Sequence, residues 1–180
     1  AVGGEMAQQV AWHEKGKMWM YKTSPMHYEH YWPCIAARAL PSLDLRGLQY
    51  LSRPVMKSFI DFQTDDPGLL TAKHWPREPV AGEGFEKRPG FLGNFGDWMA
   101  NTMLMSHGIE MAALANHYRL TRDRKWLGSG AGSPLQAMLD GFDWVRVHRQ
   151  RTMREENGKK VAHWGLLPAA SGHDWLARNV

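Results

Sequence analysis

Residues 98–120 read WMANTMLMSHGIEMAALANHYRL. The period is helical, and apolar or small residues occupy nearly every face. A helix of this kind is stable only when other elements cover it on most sides. The rest of the chain must therefore supply its neighbours, and the remaining periodicity is helical too, with few alternating strand patterns.

A first helix is expected over residues 4–20. A second starts near Pro33, a residue suited to a first helical turn, and runs through CIAARAL towards Gly47. Pro41 inside it predicts a kink or an early end. A third starts near Ser52, with Pro54 early in it, and puts Val55, Met56, Phe59, Ile60 and Gln63 on one face. TDDPG at 64–68 ends it with turn chemistry. Asp97 is placed to cap the 98–120 helix. Ser133-Pro134-Leu135-Gln136 has the form of a capping box with Pro at the first helical position. The helix it opens carries Leu135, Met138, Leu139, Phe142 and Val145 as an apolar stripe. Asp140, Asp143, Arg146 and Arg149 lie off that stripe, and REENGKK follows as a surface turn.

Residues 64–97, TDDPGLLTAKHWPREPVAGEGFEKRPGFLGNFGD, keep no period. A stretch this long without regular structure is functional or disordered in a compact domain. Trp75, Phe85, Phe91 and Phe95 argue for an ordered loop over a site. Outer and inner helices alternate, with long Gly/Pro-rich aromatic loops on one side. The expected class is all-α, a single helical domain over 1–180 built as an α/α-hairpin array with its function on the long-loop face.

Composition narrows the partners. The net charge is +4, but Lys and Arg are scattered rather than gathered on a basic face, so no nucleic-acid partner is expected. No apolar run approaches the roughly 20 residues of a membrane span, and no membrane partner is expected. Cys34 is the lone cysteine, which rules out an intrachain disulfide and suits a buried thiol. The N-terminal Ala-Val-Gly-Gly-Glu lacks the basic and apolar regions of a secretory signal, although one already removed would leave no trace. The compartment stays open. GSGAGS at 128–133 follows no strand and lacks the lysine of a phosphate loop. His27, Glu29 and His30 in HYEH lack the spacing of a zinc helix, so no metal is expected. His107 and Glu110, three apart on the buried helix, read as a satisfied core pair.

Tryptophan is the anomaly, at nine of 180 residues. Indoles bury much apolar area, and their flat faces also stack on sugar rings. Trp32, Trp75, Trp98, Trp164 and Trp175 sit in or beside loop signals, where packing explains them less well.

Three stretches resemble the six-hairpin α/α-toroid glycosidases, the superfamily of glucoamylase-like, trehalase-like and rhamnosidase-like enzymes. YWPCIAARALPSLDLRGL (31–48) is similar to an inner helix of that family. LANHYRLTRDRKWL (114–127) is similar to its link between hairpins. FDWVRVHRQ with AHWGLLPAASGHDW (142–175) is similar to an outer helix and the loop after it. The resemblance implies an incomplete toroid, about five to six helices of twelve. Twelve helices with short links need about 300 residues or more, so the remainder of the toroid or a partner chain is expected to complete it. It also implies glycoside hydrolysis by two carboxylic residues, with a carbohydrate substrate and no cofactor. Where relatives carry an Arg-Asp pair after the opening aromatic residue, this chain has Pro33-Cys34.

On this reading Asp174, Asp97 and Glu29 are the catalytic candidates. Trp32, Tyr31, Trp98, Trp164, His173, Glu83 and Glu86 are the substrate-binding ones. The cleft would be built from loops near 27–32, 74–98 and 163–175. Asp174 and Asp97 also suit helix N-caps, and Glu83 and Glu86 also suit solvated loop charges. Two rivals remain. One is a non-catalytic module that binds sugar or protein. The other is a toroid polysaccharide lyase, with a base among Tyr28, His30 and Tyr31.

Overall fold

The computed structural model describes residues 2–13, 17–22, 33–61, 63 and 104–167. In chain order these form α1 (Val2–Gln8), β1 (Val10–His13), β2 (Met18–Tyr21), α2 (Pro33–Asp44), α3 (Gln49–Asp61), α4 (Leu104–Thr121), α5 (Arg124–Leu127), α6 (Pro134–Thr152), β3 (Glu155–Glu156) and β4 (Lys159–Lys160). The described part is mostly helical, with two small antiparallel hairpins, β1–β2 and β3–β4.

The expected helix over 4–20 does not form. Only Val2–Gln8 is helical, and the chain then turns into the β1–β2 hairpin. Val10-Ala11-Trp12-His13 pairs with Met18-Trp19-Met20-Tyr21, putting Val10 opposite Tyr21 and Trp12 opposite Trp19. Aromatic residues in both runs favour a pleated surface, and the pairing outweighs the weak helical period. Met18, Met20 and Tyr21 are buried and join the core.

That core is built by α2, α3 and α4, with the hairpin laid on α3. Ala36, Ala37, Leu40 and Leu43 of α2 meet Met111, Ala113 and Leu114 of α4, and Val55, Met56 and Phe59 of α3 close the group. Cys34 is buried, as expected of a structural thiol. α4 is buried on several faces at once, at His107, Glu110, Met111, Ala113, Leu114 and His117, as its unpatterned apolarity requires. Its described part begins at Leu104; Asp97 and residues 98–103 lie outside the described residues.

Gly47 closes α2 as expected. It adopts φ 76°, its N–H reaches the Asp44 carbonyl at 3.0 Å, and the Leu48 N–H reaches the Leu43 carbonyl at 3.0 Å. This is a Schellman motif, and glycine tolerates the left-handed φ that it needs. Pro41 lies inside α2 without ending it. α3 begins at Gln49, earlier than expected, because Ser52 and Gln49 both bond back to Asp44 and draw the extra turn onto the end of α2.

α6 starts where the sequence indicates. Ser133 Oγ accepts from the Gln136 N–H at 3.1 Å, with Pro134 at the first position. Gln136 does not complete the box; its amide reaches forward to Asp140 at 2.7 Å. The buried face of α6 also differs from the expected stripe. It consists of Pro134, Ala137, Gly141, Trp144, Val147, His148 and Thr152. Leu139 and Phe142, placed on the inner stripe by apolarity alone, are 52% and 62% exposed. The reason is close approach to α4. A Cβ on Gly141 would meet the Met111 sulfur at 2.6 Å and His107 Cε1 at 3.2 Å, so the glycine lets the two helices approach closely without displacing either side chain.

The REENGKK turn is a two-residue hairpin. Glu155 faces Lys160 and Glu156 faces Lys159, around Asn157 (φ 54°) and Gly158 (φ 72°). Positive φ at both central residues suits a type I′ turn, which matches the twist of the strands. The chain then folds back on α6, where Arg149 Nε donates to the Gly165 carbonyl at 2.6 Å.

Candidate functional site

Trp12 and Trp19 face one another across the β1–β2 hairpin. Their ring centroids are 5.8 Å apart and the planes meet at 67°, an edge-to-face pair. They stay 46% and 42% exposed, a large indole surface left in reach of solvent. The hairpin sits beside α3, and between them, closed at one end by the segment from Trp126 to Pro134, lies a pocket of about 610 Å³. That is within the range of small-ligand sites. Three indoles, Trp12, Trp19 and Trp126, line it. Lys17, Arg53 and Lys57 bring positive charge, and Asp61 brings the carboxylate. Lys57 and Asp61 are ion-paired one turn apart on α3.

Arg53 is held in place from behind. Nη2 donates to Asp123 Oδ2 at 2.7 Å, and Nε donates to His117 Nε2 at 3.1 Å. Nη1 makes no hydrogen bond among the described residues. Asp123 also caps α5 by accepting the Trp126 N–H at 3.0 Å. That backbone N–H first, and the Arg53 guanidinium next, hold the Asp123 carboxyl below the usual carboxylate range. The Trp126 ring leans on the His117 ring, with centroids 4.2 Å apart.

Behind Arg53 the polar chain runs into the core. His117 Nδ1 lies 2.8 Å from Asp44 Oδ2, and the Ser52 hydroxyl donates to Asp44 Oδ1. Because His117 Nε2 accepts from Arg53, its proton sits on Nδ1 and is donated to Asp44. Ser52, Asp44 and His117 are all buried. Serine, aspartate and histidine here do not make a nucleophile system. The serine donates to the aspartate rather than to the histidine, and it does not line the pocket between the hairpin and α3.

A second buried cluster joins α4 to α6. His107 Nε2 lies 3.1 Å from the Gly141 carbonyl and donates to it. Trp144 packs between two histidines, with centroids 5.0 Å from His107 and 4.2 Å from His148. Glu110 is fully buried, and neither of its oxygens has a hydrogen-bond partner among the described residues. His107 and Glu110 are both core residues, but they do not satisfy one another.

Burial lowers the His107 pKa to about 4 and raises that of Glu110 well above its ordinary value. The consequences for stability have opposite signs. In the unfolded chain histidine protonates as the pH falls through about 6.5, whereas folded His107 resists until about 4. Stability is lost across that window, by about 3 kcal/mol at its acid end. Glu110 ionises in the unfolded chain above about pH 4.3, while burial shifts its ionisation in the fold to higher pH, so its burial costs stability as the pH rises between the two. Glu110→Gln is therefore expected to gain on the parent as the pH rises above the ordinary carboxylate range, read from urea midpoints at pH 4, 6 and 8. A gap that does not change with pH would mean that Glu110 titrates normally in the fold.

Of the residues singled out from sequence, Trp164 is described. It is half-buried in the turn after β4, where the Lys160 ammonium sits 4.6 Å from its ring centroid, and it does not line the pocket. Asp174, Asp97, Glu29, Trp32, Tyr31, Trp98, His173, Glu83 and Glu86 lie outside the described residues, as do Tyr28, His27 and His30. Trp12 and Trp19 went unmarked because residues 4–20 read as helix. The signal was present in the two aromatic runs, VAWH and MWMY, separated by a short segment containing Gly16. Among the described residues no group of three His, Cys, Asp or Glu side chains could hold a metal ion, and no helix is long and apolar enough to cross a membrane. Comparison with protein-family models, with curated proteins and with solved structures finds no match for this chain.

Proposed function

We propose that this chain belongs to a carbohydrate-active protein of the glycoside hydrolase type, and that it holds a sugar ring in the pocket between the hairpin and α3. The observation that carries this reading is the convergence of three indoles on one open pocket of about 610 Å³ with charged groups at its rim. Indole faces meet the C–H faces of a pyranose ring, while charged and polar side chains bond its hydroxyls. The α/α-toroid architecture is part of the same proposal. It is supported by the alternation of a buried inner helix, α4, with α6. The exposed Leu139 and Phe142 on α6 would meet a further hairpin or a partner chain. Asp174, Asp97 and Glu29 remain the proposed catalytic carboxyls.

One observation favours binding without turnover as the second reading. Among the described residues Asp61 is the one carboxylate lining the pocket, it is already paired with Lys57, and glycosidic hydrolysis uses two carboxyl groups.

The test is a titration of the chain with cellotetraose, xylotetraose, maltotetraose and tetragalacturonate, followed by indole fluorescence. Saturable quenching is expected with at least one of them. Trp12→Ala and Trp19→Ala should each weaken it by about tenfold, the equivalent of about 1.4 kcal/mol. New reducing ends on incubation would assign a hydrolase, and products absorbing in the ultraviolet a lyase. Binding with neither would assign the non-catalytic module. No response to any of the four sugars would overturn the reading.

A further inference from the structure

We propose that the sugar this pocket accepts carries an anionic group, a ring carboxylate or a sulfate ester, and that Arg53 receives it. The inference rests on the carbohydrate reading above and adds the chemical class. Among the described residues three cationic side chains line the pocket against one carboxylate. Lys57 and Asp61 form an ion pair on α3, so the carboxylate that could repel an anionic ligand is already partnered.

Arg53 is the deciding residue. A guanidinium binds carboxylate or sulfate through parallel N–H donors, and does so best when its orientation is fixed beforehand. Asp123 at 2.7 Å and His117 at 3.1 Å fix it here, taking one Nη2 donor and Nε. Both N–H groups of Nη1 and the second N–H of Nη2 remain for a ligand, and one from each nitrogen makes the parallel pair. The side chain is about one-third exposed, so it is neither buried beyond reach nor loose in solvent. His117 is itself oriented by Asp44 at 2.8 Å, and its ring carries Trp126, one of the three indoles. The same buried chain thus sets the cation and one stacking wall together. A neutral sugar would use the indoles and leave the Nη1 donors to water. An anionic sugar uses both.

The experiment compares three probes of equal length: tetragalacturonate, the same oligosaccharide with its carboxyls reduced to alcohols, and a sulfated galactotetraose. The expected result is that an anionic probe binds at least tenfold tighter than the neutral one at 50 mM salt, with the gap shrinking as salt rises to 500 mM. Which anionic probe wins identifies the substituent. Arg53→Gln should erase most of the preference. Should that variant fail to fold, Lys57→Gln, on the exposed side of α3, should reduce the preference while the far-ultraviolet spectrum is retained. Equal binding of neutral and anionic probes would overturn the inference and leave the sugar pocket standing. Binding of none of the three, and of none of the neutral sugars above, would overturn both.

Discussion

Trp144→Ala is expected to remove about 3–5 kcal/mol of folding stability. Domains are stable by only about 5–15 kcal/mol, so this one change would unfold a large fraction of the chain at moderate temperature. Trp144 is 1% exposed and is among the largest fully buried side chains. It fills the seam between α4 and α6, flanked by the His107 and His148 rings. Truncation removes the indole's transfer energy and leaves a void that Gly141 cannot fill. That glycine is already in tight register with Met111 and His107, so α6 has no room to slide inward. Trp144→Phe should cost distinctly less, because a ring remains between the histidines. Urea unfolding followed by far-ultraviolet dichroism, which does not depend on the lost indole, measures both. A loss below about 1 kcal/mol for the alanine variant would show that the α4–α6 seam opens without the rest of the core, and α6 would then be a loosely docked element.

The same seam shows what the sequence could and could not reveal. α4 is legible because apolar and small residues on nearly every face leave only one stable location for a helix. The start of α6 is legible because Ser133-Pro134 is chemistry local to four residues. Its inner face is not. Leu139 and Phe142 are more apolar than Gly141, His148 or Thr152, yet the latter are buried. What decides is the closeness of two backbones, a tertiary property that no single-helix pattern carries. The β1–β2 hairpin fails for a related reason. Its strands are four residues each, too short for alternation to stand out from a helical reading of residues 4–20. With the hairpin went the pocket, since Trp12 and Trp19 come together only through the cross-strand register. The buried Asp44–His117 contact is likewise a union of residues 73 apart, invisible to spacing arguments.

Asp44→Ala is the second large effect, also about 3–5 kcal/mol, and it should reach the pocket as well as the core. Asp44 accepts at both oxygens, from the Ser52 hydroxyl and from His117 Nδ1, and its backbone carbonyl accepts from Gln49 at 3.0 Å. Alanine removes both side-chain acceptors, strands the buried Nδ1–H of His117 and leaves the Ser52 hydroxyl only the long contact to the Gln49 carbonyl. His117 cannot escape by changing tautomer, because its Nε2 is occupied as the acceptor for Arg53. Asp44→Asn behaves differently. With its oxygen towards His117 and its amide towards Ser52, it keeps the essential bond, and the serine hydroxyl can turn to the Gln49 carbonyl, 3.3 Å away. The asparagine variant should therefore lose only about 1 kcal/mol. Urea midpoints of the two variants measure the difference. The imidazole proton resonances of His117 report whether its tautomer is kept. If alanine and asparagine prove equally mild, the chain from Ser52 through Asp44 and His117 to Arg53 holds nothing in place. Arg53 would then be positioned by Asp123 alone. If they separate as expected, a core aspartate fixes the geometry of a surface guanidinium through one histidine ring, and substitution at Asp44 should blunt ligand binding in the folded fraction without touching the pocket wall.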